Sequence, residues 1–125
     1  MATEMIDGLI GKSRERIGSA PAVIIICLTY ADLDVYPDEQ RQAAERLMAA
    51  QSLGAAAQNI MLTAHAHGVA SCWMCAPLFC PEVVREALQI PGDVIPQALI
   101  TLGYPSVEQP VRPRESIDTF ILLDE

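Results

Sequence analysis

Residues 39–68 read EQRQAAERLMAAQSLGAAAQNIMLTAHAHG. Asp38 precedes the run as an N-cap residue, and Gly68 closes it where a C′ glycine is favoured. The spacing predicts one helix over 39–67, roughly 43 Å long at about 1.5 Å per residue. Arg41 stands where a capping box would carry Glu or Gln, so a plain cap is expected. Ala43, Ala44, Ala49, Ala50, Gly54, Ala55, Ala56, Ala57 and Ala64 put small residues on several faces. A helix apolar nearly all round is a buried one. That predicts a central helix packed on several sides, in part by a second subunit through the face around Ala50, Gly54 and Ala57.

Outward from this helix the chain divides cleanly. AVIIICLTY (22–30) is β-branched and almost wholly apolar, the pattern of a strand covered on both faces near the middle of a sheet. Before it, residues 3–17 read as a weakly amphipathic helix with Ile6, Ile10 and Ile17 apolar, broken at 18–21. ADLDVYP (31–37) is a polar loop. VASCWM (69–74) reads as a short strand. Pro81 opens a helix over 82–89 with Val83, Val84, Ala87 and Leu88 at helical spacing. A turn over 91–96 leads to QALITL (97–102), a second buried strand ended by Gly103. Pro105, Pro110 and Pro113 make 105–116 an extended arm, which ends in the apolar patch TFILL (119–123). The order predicts a single α+β domain over 1–125, a long helix on a mixed sheet, with 105–125 as a C-terminal arm.

Composition narrows the function classes. The 125 residues carry eight basic and sixteen acidic side chains, a net charge of −8, which disfavours nucleic acid. With 51% hydrophobic and 19% charged residues the chain is too apolar to be disordered. No run of 18 apolar residues predicts a membrane span. The four cysteines follow an N-terminus without an apolar h-region, so reduced thiols and a cytoplasmic location are expected.

Three features bear on chemistry. Cys72-Trp-Met-Cys75 is a CxxC, but Ala76-Pro77-Leu78-Phe79 does not read as the helix start that lowers a redox thiol's pKa. His65, His67, Cys72, Cys75 and Cys80 are zinc-ligand types, yet the two histidines are spaced to point apart. The plainer reading has the histidines capping the helix end and the thiols buried as small hydrophobes, with no metal. Arg112-Pro-Arg114 is a basic pair in an acidic chain, open equally to solvation and to phosphate binding. No triad, Gly-rich phosphate loop or acid/base pair stands out, so no catalytic residue is assigned.

The run from Gln51, QSLGAAAQNIMLTAHAHGVASCWM, followed by VVREALQIP and ALITLGYP, resembles the nitroreductase-like FMN flavoproteins over about residues 20–116. The CWM after the helix looks most like the branch that includes a nitroreductase-like domain of deazaflavin coenzyme biosynthesis. The resemblance implies an α+β fold and an intertwined homodimer with FMN at its interface, the C-terminal tail wrapping the partner. It implies electron transfer from a reduced nicotinamide to a small planar acceptor. Carried over residue by residue, Trp73, Met74, Cys75 and Ala76 match the segment that lines the flavin ring. Arg112 and Arg114 match a basic pair that reaches the FMN phosphate. The family's arginine-rich N-terminal motif and a later Ser-x-x-N-x-Q-P-W-type stretch are not in this chain. It therefore reads as the C-terminal two-thirds of such a domain. That departure motivates an alternative, a non-catalytic flavin-binding or dimerisation module on the same scaffold.

Overall fold

The buried centre of the chain is QALIT, not AVIII. In the computed structural model, described for residues 2–108 and 110–121, strand β3 (Val94–Gly103) lies between β1 (Ala22–Thr29) and β2 (Ala70–Met74). Both neighbours run antiparallel to it, so the sheet is purely antiparallel rather than mixed. Ile24 and Ile25 pair with Ile100 and Leu99, while Trp73 and Met74 pair with the same two residues from the other side. Ala98, Leu99, Ile100 and Thr101 are accordingly buried.

β1, predicted at the middle of the sheet, is an edge strand, and Val23 is left exposed. The turn expected over 91–96 is shorter than predicted, because Val94, Ile95 and Pro96 already belong to β3. Pro96 is buried and pairs with Cys27 where the register slips between Ile26 and Cys27. Proline cannot donate to a ladder, and a bulge is where a sheet tolerates it.

One face of the sheet is covered by helix α2 (Glu39–Ala66) and the other by α3 (Ala76–Phe79) and α4 (Pro81–Leu88). The Asp38 cap is stronger than predicted. Its carboxylate accepts from the Arg41 backbone N–H at 2.9 Å and also pairs with the Arg41 side chain. At the other end Gly68 takes a φ of +72°, its N–H donating to the His65 carbonyl and that of Val69 to Ala64. This closes the helix as a Schellman motif. The histidines cap through their backbone, since His67 is itself the C-cap residue and both side chains are exposed.

α2 is not packed on several sides. Gln42, Ala49, Leu53, Ala57, Ile60 and Ala64 turn inward at helical spacing, and only Ala57 is fully buried. The opposite face, with Met48, Ala55 and Leu62, is open. Of the face around Ala50, Gly54 and Ala57, predicted to meet a second subunit, Gly54 and Ala57 turn to the chain's own sheet while Ala50 is exposed. A Cβ added at Gly54 would lie 3.9 Å from the Trp73 ring.

Helix α1 (Ala2–Gly18) precedes the sheet and is exposed along most of its length. The arm from Pro105 is extended, as its prolines require, and carries a short 3-10 turn at Ile117–Thr119. Phe120 and Ile121 are exposed there. Leu122 and Leu123 of the TFILL patch lie outside the described residues.

Candidate functional site

The segment from Trp73 to Ala76 sits where β2 runs out beside the centre of β3. Trp73 and Met74 are the last strand residues, half-buried against Ile100 and Leu99. Cys75 then leaves the sheet and N-caps α3, with its carbonyl accepting from the Leu78 N–H at 3.0 Å. Cys75 and Ala76 are exposed, while Pro77 is buried under them. A single helical turn does start at Ala76, against expectation, because the fixed φ of Pro77 suits a first turn. The Trp73 indole lies toward Gly54 of α2, and its Nε1 is buried without a hydrogen-bond partner. A buried donor left unmet costs stability unless something accepts from it.

The loop into α2 is held by contacts that the spacing of residues did not signal. Gln42 folds back so that its Oε1 accepts from the Tyr36 N–H at 3.0 Å and its Nε2 donates to the Asp34 carbonyl at 3.3 Å. The Arg41 guanidinium stacks 5.3 Å from the centre of the Tyr36 ring. Arg85 fixes the other approach to the sheet, donating to Glu82 at 2.8 Å and to the Gly92 carbonyl at 3.1 Å. That ties α4 to the turn that feeds β3.

The thiols are not buried hydrophobes. Cys72, Cys75 and Cys80 are exposed, and all four cysteines are free. Only Cys27 is partly enclosed, and that burial pushes its thiol pKa up. Cys72 lies in the strand and Cys75 at the helix cap, the reverse of an arrangement that would place the first thiol on a helix N-terminus. Among the described residues no three His, Cys, Asp or Glu side chains come together to hold a metal ion.

Arg112 and Arg114 lie on the exposed arm, and neither forms an ion pair with a described residue. The arm first meets the body at Pro105 and Val107, beside His65 and Val69 at the α2 terminus. Among the described residues no helix is long and apolar enough to cross a membrane.

A family model of the Nitroreductase family matches residues 10–104, and the chain belongs to that family. Solved structures agree on the fold. A nitroreductase family protein from Clostridium difficile 630 superposes with a TM-score of 0.65 at 23% identity, over 84% of this chain and 60% of its own. The Nitroreductase Family Protein from Streptococcus pneumoniae TIGR4 gives 0.58 at 26% identity, over 70% of this chain and 41% of its own. A variant of the FMN and NADPH-dependent nitroreductase NfnB from Sphingopyxis sp. strain HMH gives 0.58 at 24% identity, over 92% and 48%. This chain thus spans less than two thirds of each of these proteins.

Proposed function

We propose that the chain acts as a nitroreductase-type oxidoreductase that binds FMN as a homodimer. It would pass electrons from a reduced nicotinamide to a small planar acceptor. The observation that carries this reading is the family match across 10–104, which includes the whole of the 73–76 segment. Cys75 and Ala76 are exposed at the end of β2, open to a ligand, whereas the Trp73 indole N–H is buried with its ring beside Gly54 of α2. Arg112 and Arg114 lie beyond the matched residues, and their role rests on charge. They are two unpaired guanidiniums in a chain of net charge −8, a suitable pair for a phosphate dianion. When bound, FMN supplies the hydride and electron chemistry, and the protein's part is to bind and orient it.

The resemblance, with FMN at the dimer interface and the arm across the partner, favours a site shared between subunits, with one chain supplying ring contacts and the other the phosphate contacts. It also sustains a second reading, in which the scaffold serves as a binding or dimerisation module without catalysis. A flavin titration followed by an assay of reduced-nicotinamide oxidation by the FMN-loaded protein decides between them. The protein purified or reconstituted with FMN should show bound-flavin absorbance and a micromolar or tighter Kd. Replacing Arg112 and Arg114 by Ala should weaken that Kd by roughly tenfold or more, since a charged hydrogen bond is worth about 1.5–3 kcal/mol. Absence of bound-flavin absorbance before and after reconstitution overturns the enzyme reading and leaves the module.

A further inference from the structure

Phe79 closes α3 with its ring in solvent, 85% exposed, while Pro77 of the same turn is buried. At about 100° per residue the two stand roughly 160° apart around the axis, so Pro77 faces the sheet and Phe79 faces away from it. Ala76, about 60° from Phe79, is exposed on the neighbouring face. A helical side chain leans toward the N-terminus and covers the turn before its own Cα. For Phe79 that turn is Cys75–Ala76, the exposed end of the segment proposed above to line the flavin ring.

Exposure alone gives a side chain no role, since single apolar residues on a surface are common. Place distinguishes Phe79, the aromatic ring of the open stretch that follows β2, one turn from Cys75 and Ala76. Charge narrows what the ring would hold. No lysine or arginine occurs between Arg46 and Arg85, and Arg85 is occupied by Glu82 at 2.8 Å and the Gly92 carbonyl at 3.1 Å. The chain's net charge is −8. Beside Phe79 its own stretch of chain thus offers a π face and no free cation, a setting that suits an uncharged ring and repels an anion.

We propose that Phe79 is a specificity residue: it stacks on the electron acceptor over the Cys75–Ala76 turn and selects a neutral aromatic molecule over an anionic one. This role rests on the flavin-binding reading and deepens it, since that reading asks only for a small planar acceptor. Phe79 moves no proton or electron. It orients a ring by offset or edge-to-face contact, which is favourable beyond the area it buries.

Binding and turnover of the FMN-loaded chain test it together. 2-Naphthol, a neutral ring system that accepts no hydride, should perturb the visible spectrum of the bound flavin. Phe79→Ala should weaken that binding by about threefold to tenfold, the usual worth of an aromatic pair, and Phe79→Tyr should retain it. 2-Naphthoate, the same rings with a negative charge, should bind wild type more weakly than 2-naphthol does. In turnover, Phe79→Ala should raise KM for 1,4-naphthoquinone by a similar factor with kcat unchanged, and should leave ferricyanide, which has no ring to stack, unaffected. Its FMN Kd and unfolding midpoint should match wild type, because the side chain stands in solvent. Unchanged naphthol binding in Phe79→Ala overturns the proposal, as does naphthoate binding as tight as naphthol. A parallel loss with ferricyanide or a weaker FMN Kd also overturns it, in favour of a structural or flavin contact. So does a shift from dimer toward monomer in sedimentation equilibrium, which would place Phe79 between subunits. A wild-type chain that binds no FMN, or binds it without oxidising reduced nicotinamide, removes the flavin reading and this role with it. FMN binding and turnover that ignore Phe79 remove this role alone.

Discussion

Trp73 and Gly54 set how closely α2 approaches the sheet. The indole leans toward the helix, and a Cβ at Gly54 would stand 3.9 Å from its ring, an ordinary van der Waals distance. Gly54→Ala therefore fits without displacement. It should stabilise the chain by about 0.5–1 kcal/mol, because glycine in a helix interior carries that entropic cost. Gly54→Leu extends beyond Cβ into the indole and should destabilise by about 1–3 kcal/mol, the usual cost of overpacking. Denaturant midpoints of the two variants, taken at one protein concentration, check both signs. Equal effects would mean that Trp73 yields easily and does not set the spacing. Sequence reading placed Gly54 among small residues that admit another backbone. It had no means of knowing that the approaching group is the chain's own tryptophan, nineteen residues on.

At the scale of elements, the long helix and its caps were legible because their signals are local. Asp38 needs only Arg41 three residues on, and Gly68 needs only a positive φ. The backbone N–H of Arg41 and its side chain hold the Asp38 carboxyl below its ordinary range. The sign follows directly. A carboxyl whose folded pKa is depressed contributes stability above the ordinary aspartate pKa, and that contribution fades as pH falls toward the folded value. Asp38→Asn should keep the cap and flatten the acid limb of a stability–pH curve, whereas Asp38→Ala should lower the midpoint at neutral pH as well. An acid limb identical to wild type in Asp38→Asn would show that other carboxyls carry it. Strand placement was less legible. AVIII and QALIT are both apolar runs, and which is central depends on who pairs with whom, a non-local fact. The buried Pro96 inside β3 shows the same limit, since only the bulge opposite Cys27 makes room for it. The segment 73–76 was proposed through its resemblance to a family, while the Gln42 clamp and the orphaned Trp73 Nε1 are purely tertiary. Nothing in their spacing announces them.

For the whole molecule the decisive quantity is surface. The chain exposes 10,208 Å². A compact monomer of 13.5 kDa is expected to expose roughly 6,500 Å² on the usual surface-to-mass relation. The excess, roughly 3,700 Å², is surface one chain leaves uncovered, in a chain that spans 60%, 41% and 48% of the structures it resembles. Part of it is apolar, for the outer stripe of α2 shows Met48 and Leu62 more than half exposed, and α1 and the arm add Leu9, Ile117 and Phe120. The fully buried hydrophobic core is correspondingly thin, with Ala57, Ala98, Leu99 and Ile100 as its hydrophobic members. In the homodimer proposed above, folding and association should be one event. The proposed interface would use the open face of α2, because Ala57 and Gly54 already face the chain's own sheet. Met48→Glu with Leu62→Glu should therefore shift sedimentation equilibrium from dimer toward monomer and lower the unfolding midpoint with it, whereas the wild-type midpoint should rise with protein concentration. A wild-type chain that sediments as a monodisperse monomer at micromolar concentration and still unfolds cooperatively would overturn the coupling of fold to assembly.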